Sequence, residues 1–155
     1  MAGIKITSLP AVASGLLTDV FPVVQGGITS QETLQQVLTL FSISSGLVIW
    51  NNITSTSEMM AAGNGYIANN AGLVTLTLPL TSEIGTIIRV SGFGAGGWTI
   101  AQNALQSIND GISTTTVGVG GSLSSTQRYN AVELLCVGAD KTWNVISEKG
   151  NLTIV

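Results

Sequence analysis

Apolar and polar positions alternate along much of this chain with a period of two. Residues 73–80 read LVTLTLPL, so Val74, Leu76, Leu78 and Leu80 fall on one side of an extended backbone and Thr75 and Thr77 on the other. That is the pattern of a half-buried strand. Residues 84–100 read IGTIIRVSGFGAGGWTI, an apolar run that breaks into glycines and resumes at an indole. It predicts two buried strands joined by a tight, backbone-rich turn. Val132, Leu134 and Cys136 share one face of a later strand, and Trp143 and Val145 share one face of the next. Asp140 sits in the turn between them, where a short polar side chain can bond its own backbone. From Tyr66 onward, turn residues at 69–72, 92–97, 109–111, 118–121, 138–141 and 150–151 separate the apolar segments. Punctuation this regular predicts a sandwich or barrel.

The period changes to that of a helix only once. Thr29 and Glu32 have the spacing of a capping box, and Leu34, Val37, Leu38 and Phe41 follow at i, i+3, i+4 and i+7. The stripe either packs on the β domain or meets copies of itself around an axis, because so short a helix does not stand alone in water. Residues 1–28 read as an arm in which Ile4-Lys5-Ile6 alternates, Leu9-Pro10 ends the run, and a short extended element at 19–27 closes on Gly26-Gly27. Leu47-Val48-Ile49-Trp50 predicts a linking strand. The expected fold class is all-β: a jelly-roll-like β-sandwich head over 55–155, preceded over 1–54 by an extended N-terminal arm, one short helix and the linking strand.

Composition sharpens this reading. Hydrophobic residues make up 45% of the 155 and charged residues only 8%, about a third of the usual share. Hydroxyl and amide side chains and the 19 glycines must cover the surface, or part of the apolar excess is buried against other subunits. A net charge of -3 offers nothing to attract a phosphate backbone, so nucleic acid is not an expected partner. The single cysteine, Cys136, excludes an intrachain disulfide and reads as a small buried hydrophobe. The first 17 residues are interrupted by Thr7, Ser8, Pro10 and Ser14, and no run reaches the roughly 18–20 apolar residues that span a bilayer. Neither a signal peptide nor membrane insertion is expected.

Chemistry-bearing residues are few. Histidine is absent, which removes Ser–His and Cys–His nucleophile pairs and most catalytic zinc sites. The eight carboxylates are scattered along the chain; a glycosidase pair needs only two of them at the right distance in space, but nothing in the sequence points to one, and no catalytic residue, cofactor or metal is expected. Gly92, Gly94 and Gly97 spell G-x-G-x-x-G, but Trp98-Thr99-Ile100 after them reads as a strand, so no helix N-terminus is available for a pyrophosphate. A tight turn is the better reading. Arg89 alternates with Ile88 and Val90 in the most apolar strand; it either faces solvent or pairs, with Glu133 the first candidate. Trp98, Trp143, Tyr66 and Tyr129 are candidates for a sugar-stacking platform, but in so aromatic-poor a chain the tryptophans read more readily as core anchors. A lectin-like module or bacterial surface adhesin is the alternative function, and it requires Trp98 or Trp143 to be exposed.

Two stretches carry a resemblance. Ile6-Thr7-Ser8-Leu9-Pro10, Asp19, Phe21-Pro22-Val23-Val24-Gln25-Gly26-Gly27 and the short helix after Thr33 look like the N-terminal segment of many bacteriophage tail-fibre and tail-associated proteins. From about Gly63 to Asn151, the segments Gly65-Tyr66-Ile67-Ala68-Asn69, Leu78-Pro79, Gly96-Gly97-Trp98-Thr99-Ile100, Ser122-Leu123-Ser124-Ser125, Val132-Glu133-Leu134-Leu135-Cys136 and Trp143-Asn144-Val145 resemble a small β module at the ends of viral and bacterial fibres. The resemblance implies a non-enzymatic virion protein, assembled in the host cytoplasm and released by lysis. It implies a homotrimeric short fibre or tail tip, with Leu34, Val37, Leu38 and Phe41 in the trimer contact. The arm would bind other virion or fibre proteins, and the heads would meet a host-surface glycan or protein.

Overall fold

The computed structural model describes residues 20–25, 28–37 and 48–155. The chain divides into two compact units, Met1–Leu47 and Val48–Val155.

In the first unit, β1 (Val20–Gln25) and β2 (Ile28–Thr33) form an antiparallel hairpin with Val20 opposite Thr33 and Gln25 opposite Ile28. Gly26-Gly27, which separates them in sequence, is a composition suited to a two-residue connection. This hairpin overturns the capping box at Thr29 and Glu32, whose residues pair with Val24 and Phe21 instead. The motif recurs four residues later, where it does operate. The Gln36 amide donates to Thr33 Oγ1 at 3.1 Å, and the Thr33 amide donates to Gln36 Oε1 at 2.7 Å, capping a single helical turn at 34–37. Both sites satisfy the local rule, and six strand pairings decide against the first. On this turn Leu34 is half-buried and Val37 is exposed. Leu38 and Phe41, the rest of the expected trimer stripe, lie outside the described residues.

The second unit is a β-sandwich. Its first six strands are β3 (Ile49–Ile53), β4 (Ser57–Met59), β5 (Asn64–Ala68), β6 (Val74–Thr77), β7 (Ile87–Gly92) and β8 (Trp98–Ala101). They alternate between two sheets: β3, β5 and β7 are parallel neighbours in one, and β4, β6 and β8 in the other. This part of the chain winds as a flattened coil of three rungs, each contributing one strand per sheet. The remaining strands, β9 (Ser107–Asp110), β10 (Ser113–Thr114), β11 (Ser122–Ser125), β12 (Ala131–Gly138), β13 (Thr142–Lys149) and β14 (Leu152–Ile154), extend both sheets. The orders are β10-β9-β13-β12-β7-β5-β3 and β14-β11-β8-β6-β4.

The expected sandwich is therefore present, but its first half does not have jelly-roll topology. A jelly roll is built from antiparallel Greek keys, whereas these rungs repeat their direction. The strand Ile49–Ile53, assigned from sequence to the arm side of a boundary at residue 54, is an edge strand of the sandwich and pairs along its length with β5.

Glycines at the rung corners explain the winding. A Cβ on Gly94 would lie 2.1 Å from the Asn70 carbonyl oxygen, and one on Gly96 would lie 2.0 Å from that of Gly72. The turn at 93–97 thus rests directly on the corner of the rung before it. Phe93 and Gly94 amides donate to Ala68 O at 2.9 and 2.8 Å, and the Gly96 amide donates to Asn70 O at 3.1 Å. Gly97 has φ +67°, which glycine adopts without strain. The G-x-G-x-x-G spacing is a stacking corner.

Between the sheets, Val74, Leu76, Leu78, Ile88, Val90, Trp98, Ile100, Leu123, Val132, Leu134, Cys136 and Trp143 form one core. The period-two faces read from sequence point into it, each large side chain contributing about 1.5–3 kcal/mol of burial. Trp98 Nε1 donates to Asn130 O at 2.9 Å. Leu80, expected on the same face as Leu78, instead lies past the end of β6 and is exposed.

Candidate binding groove

The strand register lays a row of residues across the outer face of the seven-stranded sheet. Trp50 on β3 stands opposite Gly65 on β5, Gly65 opposite Arg89 on β7, Arg89 opposite Glu133 on β12, and Glu133 opposite Ser147 on β13. Period-two alternation puts these side chains outward because Ile88, Val90, Val132 and Leu134 between them point into the core.

Gly65 shapes the row. A Cβ there would sit 2.6 Å from two indole carbons of Trp50, so the missing side chain is what lets the ring lie over the β5 backbone. Trp50 remains 48% exposed while packed on that strand. Two strands away, Arg89 Nε donates to Glu133 Oε2 at 2.8 Å and Nη2 donates to Oε1 at 3.2 Å. This is the pair considered from sequence, formed as a two-point fork between directly facing residues. Both partners stay partly open to solvent, at 30% and 25% of their side chains. The groove lined by Trp50, Arg89, Glu133 and Ser147 of this row, together with Ser91, Ala131, Glu148 and Lys149, has a volume of about 340 Å³.

The other aromatic candidates lie elsewhere. Trp98 and Trp143 are fully buried and Tyr66 nearly so, its hydroxyl accepting from the Ala61 amide at 2.5 Å. A sugar platform built on the two tryptophans is thereby overturned, because both indoles fill the space between the sheets. Tyr129 is exposed, and the Arg128 guanidinium lies 5.0 Å from its ring centroid and 5.7 Å from that of Phe93. Trp50 was visible in the sequence only as the end of a predicted strand. What singles it out is a glycine fifteen positions later, and that relation exists only once β3 and β5 pair in parallel.

At one end of the sandwich the connecting loops carry a different surface. Leu80, Ile84, Leu105, Val117, Val119 and Val155 are each more than half exposed. A buried amide network holds these loops in place. Gln106 Nε2 donates to Pro79 O and Asp140 O at 2.8 and 3.1 Å; Gln102 Nε2 donates to Gln106 O, Thr116 O and Gly118 O at 2.6, 3.0 and 3.2 Å. The Thr116 amide donates to Val155 O at 2.9 Å, and Leu105 is held at φ 66°.

Cys136 is buried, and desolvation raises its thiol pKa above the ordinary value. Among the described residues no three or more histidine, cysteine, aspartate or glutamate side chains gather as a metal site. No helix among them is long and apolar enough to cross a membrane. No protein-family model matches the chain, and no curated protein is significantly similar to it.

Proposed function

We propose that this chain is a non-enzymatic structural protein of a virion, the head-bearing part of a short homotrimeric fibre or tail tip. The observation that carries the assembly part of this reading is the apolar loop end. Leu80, Ile84, Leu105, Val117 and Val119 are exposed on loops fixed by buried glutamine hydrogen bonds. Rigid apolar groups held in water gain by meeting a partner surface, and little ordering entropy is lost when they do. The 8% charged fraction leaves few charges to repel a second copy. Placement in a virion fibre rests on the resemblance in the arm and the head.

Light scattering on a sizing column at several protein concentrations tests the reading. The expected mass is three chains, unchanged on dilution, and the double substitution Leu105→Asp, Val119→Asp should bring it to one chain without loss of the β-sheet circular dichroism. A native protein that elutes as a monomer throughout would refute the trimer.

A further inference from the structure

We propose that the groove across the outer face of the seven-stranded sheet is a binding site for a neutral saccharide, with Trp50 as the stacking platform and Arg89 and Glu133 as the hydroxyl-binding pair. Three observations support that ligand class.

The first is the state of the indole. Trp50 lies over Gly65, where a Cβ would come within 2.6 Å of the ring, and keeps 48% of its surface exposed. A flat aromatic surface held against a strand and open on its other side offers an apolar platform at little entropic cost, since the ring is already placed. The apolar C–H face of a pyranose matches such a surface.

The second is the polar group beside it. Of the five N–H donors of a guanidinium, Arg89 gives two to Glu133. Three donors, together with the remaining lone pairs of the carboxylate, stand in a partly solvated groove. A fixed array of donors and acceptors suits vicinal hydroxyls, each of which both donates and accepts.

The third is charge. Arg89 and Lys149 balance Glu133 and Glu148 along the lining, so the groove is formally neutral. A neutral polyol adds to the Arg89–Glu133 fork without opening it, whereas an anion meets the Glu133 and Glu148 carboxylates along the same lining. The volume of about 340 Å³ lies at the lower end of the range for small-ligand sites, roughly 300–1,000 Å³. A short oligosaccharide segment, bound along the row from Trp50 toward Glu133, fits these constraints.

The chain contains three tryptophans, and two of them are fully buried. Collisional quenching by acrylamide therefore reads Trp50 almost alone. The experiment titrates the full chain with a panel of soluble neutral oligosaccharides built from hexose, deoxyhexose and N-acetylhexosamine units, following quenching, and screens the same protein on an immobilised glycan array. At least one neutral glycan should protect the emission from acrylamide. Trp50→Ala should weaken its binding at least tenfold while the circular dichroism and melting temperature hold. Gly65→Ala, which keeps the indole but pushes it off the strand, should weaken it as well. The Leu105→Asp, Val119→Asp variant should bind as the native head does, which separates this inference from the assembly reading. Absence of protection and of array binding across the panel would overturn the proposal. So would binding that Trp50→Ala leaves unchanged, or binding confined to anionic glycans and abolished by moderate salt.

Discussion

Arg89 shows how a single charged residue is accommodated in an apolar strand. Its neighbours Ile88 and Val90 are buried, and alternation alone puts its side chain on the outer face, where the register brings Glu133 opposite. Since both side chains keep part of their solvent, the pair is worth far less than a buried one, about 1 kcal/mol. A double-mutant cycle with Arg89→Ala and Glu133→Ala, read by urea unfolding, should return a coupling of that size that shrinks as salt is added. A coupling near zero at low salt would mean that the fork is not held in solution. Cys136 behaves in the opposite way. Burial disfavours the charged thiolate, so the folded chain holds this proton more tightly than the unfolded chain does. The stability gained is complete below the unfolded thiol pKa and is lost as pH rises through the folded value. At mildly alkaline pH a thiol reagent such as dithionitrobenzoate should leave the native protein unmodified and react at once after denaturation. Fast labelling of native protein would contradict the buried placement.

At the scale of elements, the glycine corners carry the architecture. Gly94 and Gly96 meet backbone atoms of the preceding corner, which cannot rotate away as a side chain can. Gly94→Ala should therefore cost about 2–4 kcal/mol, measured as a lower urea midpoint. The same substitution at Gly85, whose Cβ would meet nothing within 4 Å, should cost less, its penalty coming only from φ +92°. These elements also show what a sequence reader can and cannot see. The strands were legible because Val74/Leu76, Ile88/Val90 and Val132/Leu134/Cys136 each repeat with period two against a single core. The glycine turn was legible from local chemistry, and the Asp140 turn stands where expected with φ 63°, but its carboxylate accepts from the Ser82 amide at 2.7 Å rather than from its own backbone. Strand direction was not legible, because alternation is the same in parallel and antiparallel neighbours. Three stacked rungs were therefore read as a jelly roll. The helix was misplaced for a related reason. Thr29–Glu32 and Thr33–Gln36 both have capping spacing, and only the pairing of β1 with β2 distinguishes them. The ion pair could be named because it needs only two opposite charges on outward strand positions. The indole platform could not, since it depends on which strands adjoin.

For the whole molecule, the sandwich has two kinds of outer surface. The loop end is apolar and locked by Gln102 and Gln106, which suits lasting contact between copies. The groove across the outer sheet face is lined by balanced charges with an indole at one edge, which suits reversible contact with a small ligand. The two surfaces lie on different parts of the sandwich, so the proposed assembly and the proposed recognition should respond separately to the loop-end and Trp50 substitutions.

The rung geometry also acts as a ruler. Trp50 and Arg89 lie on β3 and β7 with one strand between them, and strands in a sheet are spaced by about 4.8 Å. The distance from indole to guanidinium is therefore set by a whole number of rungs. A chain with one rung duplicated or deleted between them would widen or narrow that span in a single step of about 4.8 Å, with the hairpin of β12 and β13 untouched. If the groove holds a saccharide as proposed, related heads built on this plan should differ in the length of the segment they accept by discrete increments, as a ladder measures height in steps.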